Sequence, residues 1–193
     1  MFTVITPDLR VHYRTILSEV FKTREGYYSP KLTKEMIQDD TPSTIYIAYV
    51  DPEHGTFGSC RLNSLTHSPA SSFYKKTFKP DVLREMKEVS LISFHMEEGH
   101  PSQEAKGAFN VAIQRFYWGL YDFLVSLSME KRYRGYVTLM DAEEHGDLPL
   151  FGEWRFDECK TVTLDGCPLT AGFICLGPSV AHHLRSQDRI YVA

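Results

Sequence analysis

The chain begins with a short apolar run and continues with helical periodicity. FTVIT, at 2–6, has the composition of a strand, and over 9–26 the apolar residues recur at intervals of three and one, as in the stripe of an amphipathic helix. These apolar positions are Tyr13, Ile16, Leu17, Val20 and Phe21. The run from 27 to 44 is polar and contains Pro30 and Pro42, which interrupt regular structure. We expect a mobile or ligand-covering segment there.

Two apolar runs that meet at a turn predict a β-hairpin. STIYIAYVD (43–51) and GTFGSCRLNSL (55–65) are joined through DPEHG, which is rich in turn-forming residues. A short helical piece is expected around FYKKTF. EVSLISFHM (88–96) predicts a further strand, because its residues suit a pleated and mostly buried surface.

The second half of the chain predicts one long helix followed by strands. Apolar residues nearly encircle the segment 103–130, which predicts a central, buried helix with Trp118 in the core. Strands are expected in RGYVTLMDA and on both sides of the Asp-Gly turn in CKTVTLDGCPLTAGFICLG. A helix between two adjacent strands implies a right-handed crossover and a parallel pair. The expected class is α/β, or α+β, with a mixed sheet, in a single domain over 1–193.

Composition and charge narrow the class of function. With a formal net charge of −4, the chain lacks the excess of basic residues that is typical of nucleic-acid-binding proteins. No apolar run approaches the ~20 residues of a membrane span, and the first residues lack the form of a signal peptide, so we expect a cytoplasmic protein without a membrane or nucleic-acid partner. The four cysteines show no zinc-ligand spacing. We therefore predict reduced thiols and no metal site.

Arg61 places a charge in the middle of the second hairpin strand. A buried charge needs a partner, and we expect that partner to be an acid. Two interpretations of such a pair stay open: an ion pair that fixes strand register, or part of a functional site. In either case, breaking a buried pair is costly because the remaining charge loses its partner.

Five short motifs follow one another in a distinctive order. They are VFKTREGYY (20–28), EMIQDDTP (35–42), GTFGSCRL (55–62), TFKP (77–80) and EVSL (88–91). Together they resemble the motifs of the LuxI-type acyl-homoserine lactone synthases, a branch of the GNAT acyltransferase superfamily. The resemblance covers roughly 10–178 and implies a GNAT-like fold, with a central mixed sheet flanked by helices and a mobile N-terminal segment.

The resemblance implies a set of site residues. Glu88 and Ser90 fall at catalytic positions, and Glu88 would position or deprotonate the attacking amine. Asp40 would recognise the positive charge of the acceptor. Arg24 and Arg61 would hold the carboxylates in place, so that Arg61 would pair with Glu88 or Asp40 across the sheet. The substrate-binding positions are Phe21, Arg24, Tyr27 (where Trp is usual in the family), Asp40, Arg61 and Phe78. Structural interpretations stay open for all of these: a helix-end surface arginine, a turn aspartate and core aromatics.

Three positions depart from the family pattern. Leu17, Ile37 and Leu91 stand where a charged residue is usual. The departures leave the expected fold untouched and bear on the identity of the acceptor.

The implied reaction is transfer of an acyl group from a thioester to the amine of S-adenosylmethionine, giving an acyl-homoserine lactone. Both reactants are substrates, and no cofactor is expected. One alternative is N-acylation of another amine, such as an amino acid. A second is a non-catalytic protein that binds an acyl ligand and regulates a partner.

The donor is expected to be an acyl carrier protein or acyl-CoA. SQEAKG, before the long helix, has one glycine and cannot form the Gly-rich pyrophosphate loop usual in the superfamily, which favours the carrier protein. The basic residues that would meet its acidic face are Lys75, Lys76, Lys79, Lys131, Arg132 and Arg134.

Overall fold

The structure of the protein is a computed structural model. It describes residues 1–28, 40–51, 55–68, 70–94, 103–133, 135–140, 155–164 and 167–175. Most of the segment from 27 to 44, which we expected to be mobile, lies outside these ranges.

The described chain contains four α-helices and seven strands, and all of them except one short helix follow in the order that the sequence predicts. The helices are α1 (Arg14–Tyr28), α2 (Ser71–Thr77), α3 (Pro80–Glu85) and α4 (Gln103–Lys131). The strands are β1 (Phe2–Ile5), β2 (Ile45–Asp51), β3 (Gly55–Ser64), β4 (Met86–Phe94), β5 (Gly135–Met140), β6 (Arg155–Leu164) and β7 (Cys167–Cys175).

The seven strands form one mixed sheet in the order β1-β2-β3-β4-β5-β7-β6. β4 and β5 run parallel, with Met86 opposite Gly135, because α4 connects them as a crossover. The neighbouring pairs β1–β2, β2–β3, β5–β7 and β6–β7 are antiparallel. The predicted α/β class with a mixed sheet and flanking helices is confirmed.

The chain divides into two compact units. One comprises Met1–Leu62 and Leu91–Leu120, and the other comprises Asn63–Ser90 and Tyr121–Ala193. Each is described by itself below. The prediction of a single domain over 1–193 stays a prediction.

In the first unit, helices cover both faces of β2. Leu17 and Val20 of α1 join an apolar cluster with Tyr46 and Ala48. On the alternate positions of the strand, the ring of Tyr49 lies 5.9 Å from that of Phe116 on α4. Because successive strand residues point to opposite faces, α1 and this part of α4 pack on opposite sides of β2.

In the second unit, α2 and α3 cover one face of β4 and β5. Tyr136 faces the other side, where its hydroxyl donates to the backbone carbonyl of Leu124 on α4. The apolar cluster beneath α2 and α3 consists of Leu65, Ala70, Tyr74, Phe78, Val82, Leu83, Met86 and Val137.

Three details differ from the sequence-based expectation. The first helix begins at Arg14, because Pro7 opens a separate 3₁₀ turn over Pro7–Leu9. α3 was not predicted, although Pro80 at its first turn is a helix-start signal. The prediction that Trp118 lies in the core is wrong, since its side chain is 56% exposed.

Candidate functional site

Three elements of the first unit bring charged side chains to one carboxylate. Asp40 lies just before β2, and its Oδ2 is 3.0 Å from Nη1 of Arg24 on α1. Its Oδ1 is 3.1 Å from Nη1 of Arg61 on β3. Tyr46 donates its hydroxyl to Oδ2 at 2.7 Å. We call Arg24, Asp40, Tyr46 and Arg61 the arginine–aspartate cluster.

The hairpin register explains how β2 and β3 contribute together. Tyr46 and Arg61 are directly opposite each other across the two antiparallel strands, so their side chains lie on the same face of the sheet. The predicted pairing of Arg61 with an acid is therefore present, with Asp40 as the observed acid. Glu88, the other candidate, has an observed partner in Tyr74, described below.

Burial makes the charges of the cluster strongly interdependent. The side chain of Arg24 is 1% exposed and that of Asp40 is 14% exposed. Burial lowers the pKa of the Arg24 guanidinium, and the adjacent Asp40 carboxylate opposes this change. Burial, together with the hydrogen bond to Asp40, raises the pKa of Tyr46. The phenol therefore stays protonated and continues to donate to Asp40.

Aromatic rings and a further arginine border the cluster. The ring of Phe21 is 5.7 Å from that of Tyr46 in an edge-on arrangement, and the Arg24 guanidinium is 5.5 Å from the Phe21 ring centre. Arg10, which sequence reasoning missed, lies 5.4 Å from the Tyr46 ring centre and donates to the carbonyl of Thr44 at 2.7 Å. Phe21 is 43% exposed, so it is not the core residue that its place in the stripe predicts.

The substitution at Leu17 has a structural explanation. Leu17 is 7% exposed and belongs to the apolar cluster with Val20. An apolar side chain suits this environment. Ile37 lies outside the described residues, as do the side chains of Leu91 on β4 and Tyr27 on α1.

In the second unit, Glu88 is a buried acid on β4. It is 2% exposed, and its Oε1 accepts a hydrogen bond from the hydroxyl of Tyr74 at 3.2 Å. Ser90 is 8% exposed and lies two positions along the strand, so it shares the face of Glu88. The predicted site residue Phe78 stacks on Tyr74, with ring centres 6.0 Å apart.

The predicted site residues therefore fall into two groups. Arg24, Asp40 and Arg61 meet in the first unit with Phe21 beside them, and Glu88 lies near Phe78 through Tyr74 in the second. Sequence reasoning missed Tyr46 and Tyr74. Tyr46 was detectable, because strand alternation in the hairpin puts it opposite Arg61. Tyr74 had no such signal, since its contact with Glu88 depends on how α2 packs.

Other reactive chemistries have less support. Cys60 is a free, fully buried thiol, and burial raises its pKa, so it stays protonated and a weak nucleophile. Within the described ranges, no group of three or more His, Cys, Asp or Glu side chains converges as metal ligands would. The described helices include none with the length and hydropathy of a membrane span.

Comparisons of sequence identify no relative. No protein-family model matches the chain, and no curated protein matches it at a significant level.

Comparisons of structure find acyl-homoserine lactone synthases. The CoA-dependent synthase MesI is 17% identical, with a TM-score of 0.58 over 100% of this chain and 97% of that one. The synthase LasI is 12% identical, with the same TM-score and coverage. The CoA-dependent synthase BjaI, solved with SAM and isopentyl-CoA, is 13% identical, with a TM-score of 0.53 over 97% of this chain and 88% of that one. At these identities the likeness is one of fold, and the chain has the mixed-sheet fold of the acyl-homoserine lactone synthases.

Proposed function

We propose that this protein is an N-acyltransferase that moves an acyl group from a thioester to the amine of S-adenosylmethionine, giving an acyl-homoserine lactone. The observation that carries the proposal is the buried carboxylate of Glu88 on the central strand of a chain that shares this fold over its full length. The arginine–aspartate cluster adds support, because it joins residues that the motifs pointed to separately.

The first chemical step is attack of the amine on the thioester carbonyl. An ammonium group must lose a proton before it can attack, and Glu88 is the group we assign to accept that proton, directly or through a water molecule. The amine nitrogen adds to the carbonyl carbon and gives a tetrahedral oxyanion, which collapses as the C–S bond breaks. The nitrogen gives up its second proton, and the sulfur takes up a proton and leaves as the thiol. The intermediate oxyanion requires a hydrogen-bond donor, for which a backbone N–H of the strand beside the thioester is suited.

The second step closes the lactone. The carboxylate oxygen of the acylated intermediate attacks the carbon that bears the sulfonium, and the C–S bond breaks to release methylthioadenosine. Because sulfonium is already a good leaving group, this step demands orientation from the protein more than acid or base. Acidic and aromatic surroundings favour such a cationic substrate.

The role of Asp40 has two forms. In one, Asp40 recognises the cationic acceptor directly. In the other, it fixes α1 against the hairpin and leaves recognition to its neighbours. The observed contacts favour the second form, because two guanidinium groups already compensate its charge.

The donor is an acyl thioester on CoA or on a carrier protein. MesI and BjaI are described as CoA-dependent, which supports acyl-CoA here. Exposed lysines support a carrier protein as the alternative donor. Lys75 and Lys76 lie in the last turn of α2, at exposed positions. If a carrier protein docks there, K75E/K76E raises the KM for the acylated carrier and leaves the KM for acyl-CoA unchanged.

The test is product analysis by mass spectrometry. The purified chain is incubated with S-adenosylmethionine and a panel of acyl-CoA and acylated carrier proteins, beside Glu88→Gln and the matched control Glu25→Gln, an exposed acid on α1. We expect acyl-homoserine lactone and methylthioadenosine from the native chain and from E25Q, with strong loss in E88Q. Formation of an N-acyl amino acid when amino acids are supplied, with no methylthioadenosine from S-adenosylmethionine, would favour acylation of another amine, which the non-charged Ile37 and Leu91 also suggest.

A non-catalytic ligand-binding role remains the second alternative. It predicts that an acyl thioester raises the melting temperature of the chain while no acyl product forms with any amine supplied.

A further inference from the structure

Tyr74 and Glu88 form a buried pair within the second unit. The tyrosine side chain is wholly buried and the glutamate is 2% exposed. The Tyr74 hydroxyl donates to Glu88 Oε1 at 3.2 Å. This distance is longer than that of a strong bond between a hydroxyl and a carboxylate.

The backbone and neighbouring rings hold Tyr74 firmly. Its amide donates to the carbonyl of Ala70, and its carbonyl accepts from the amide of Phe78, so both ends of its turn in α2 are fixed. The ring lies 5.6 Å from that of Phe73 and 6.0 Å from that of Phe78. A tyrosine fixed in this way delivers its hydroxyl to one place, with little entropy left to lose.

We propose that Tyr74 is a positioning residue, whose hydroxyl orients the Glu88 carboxylate toward the attacking amine. The inference rests on the proposed function, in which Glu88 accepts the proton of the amine. A carboxylate on a β-strand can rotate about its last bond, and a hydrogen bond to one of its oxygens limits that rotation. A base that is held in the correct orientation spends more time in the reactive geometry, which raises kcat.

Packing alone does not account for a tyrosine here. Phenylalanine would fill the same space between Phe73 and Phe78, and Phe78 itself shows that the cluster accepts that side chain. A buried hydroxyl costs free energy unless it is hydrogen-bonded. The contact with the Glu88 carboxylate supplies a hydrogen bond of this kind.

The test is a double-mutant cycle in steady-state kinetics. Tyr74→Phe, Glu88→Gln and the double variant are compared with the native chain, with both substrates varied. The matched control is Tyr136→Phe, which removes another wholly buried hydroxyl of the same unit, one that donates to a backbone carbonyl instead of an acid. Sensitive product detection is needed, because E88Q is slow.

We expect Y74F to lower kcat by about tenfold, the factor that a hydrogen bond to a charged group is worth, with KM values changed less than about twofold. In the E88Q background, Y74F has no further effect on kcat. Y136F keeps the native kcat while losing stability to a similar extent.

Three results would overturn the positioning role while the native chain is active: a native kcat in Y74F, an equal loss in the E88Q background, or an equal loss in Y136F. A native chain that turns over no donor with any amine overturns the proposed function itself. If Y74F does not fold, the folding of the double variant Y74F/E88Q, which lacks the Glu88 charge, decides between the two interpretations. Folding restored by removal of the charge supports the pair, and continued failure to fold means that the hydroxyl serves packing.

Discussion

Arg24 and Asp40 are joined by a 3.0 Å ion pair in which the arginine side chain is only 1% exposed. The pair ties α1 to the residue from which the chain enters the β-hairpin. Arg61 contacts the other oxygen of the same carboxylate. Asp40 therefore compensates two buried positive charges and also holds α1 against the hairpin. Substitutions of Asp40 test both roles.

Replacing Asp40 by Asn should lower the free energy of unfolding by about 3 kcal/mol, because a buried guanidinium loses the charge that compensates it. The measurement is urea unfolding. The matched control is Glu19→Gln, which breaks the exposed Lys22–Glu19 pair on the same helix and should change stability little. Equal losses in the two variants would contradict the prediction.

The same D40N variant distinguishes the two roles of Asp40 in catalysis. If Asp40 only supports the fold, kcat and the KM for the acceptor stay near native values at temperatures where D40N is fully folded. Direct recognition of the cationic acceptor predicts instead a higher KM for the acceptor, with the KM for the donor unchanged.

Tyr46 should make a contribution to the free energy of unfolding that is lost at alkaline pH. Because burial and then the bond to Asp40 raise its pKa, the folded chain keeps the Tyr46 proton above pH 10.0, the ordinary value, where the unfolded chain loses it. This contribution is complete below pH 10.0 and is lost as pH rises further. The stability difference between the native chain and Y46F, from urea unfolding, should therefore shrink above pH 10.0. A constant difference would argue against the shift.

Gly58 on β3 should tolerate no side chain, because an added Cβ would lie 2.9 Å from the Phe116 ring. We expect Gly58→Ala to cost about 1–3 kcal/mol and the second change Phe116→Leu to restore part of the loss. Gly26→Ala is the control, since Gly26 lies in α1 with nothing within 4 Å. Thermal unfolding should show G26A more stable by about 0.5–1 kcal/mol.

Two aromatic residues of α4 should differ strongly in how much their truncation destabilises the fold. Phe116 is 0% exposed and Trp118 is 56% exposed. Phe116→Ala should cost about 3–5 kcal/mol through cavity formation. Trp118→Ala should stay within about 0.5 kcal/mol of the native chain. Denaturant unfolding of both measures this, and a large loss in W118A would mean that the indole is covered in solution.

The order of the strands and the longer helices was predictable because each has a clear local signal. The parallel pairing of β4 with β5 followed from a long helix between two strands. The pairing of Arg61 with an acid followed from the need of a buried strand charge for a partner, and the structure shows that the acid is Asp40. Neither prediction required knowledge of how helices pack on the sheet.

The features that escaped sequence reasoning depend on that packing. Trp118 and Phe116 are two residues apart on one helix, and composition alone does not say which of them faces the sheet. Tyr74 reaches Glu88 only because α2 lies over β4. α3 is six residues long, too short for its periodicity to stand out, although its proline was a usable signal.

Cys60 supplies the chain with a natural reporter of local opening. Its thiol is wholly buried, it neighbours Arg61 on β3, and it stands opposite Ile47 of β2. An alkylating reagent therefore reaches this sulfur only when the hairpin separates from what covers it. With the other cysteines replaced by serine, the labelling rate of Cys60 measures how often β3 opens. Comparing that rate with and without substrate would reveal whether binding tightens this strand, without any catalytic turnover.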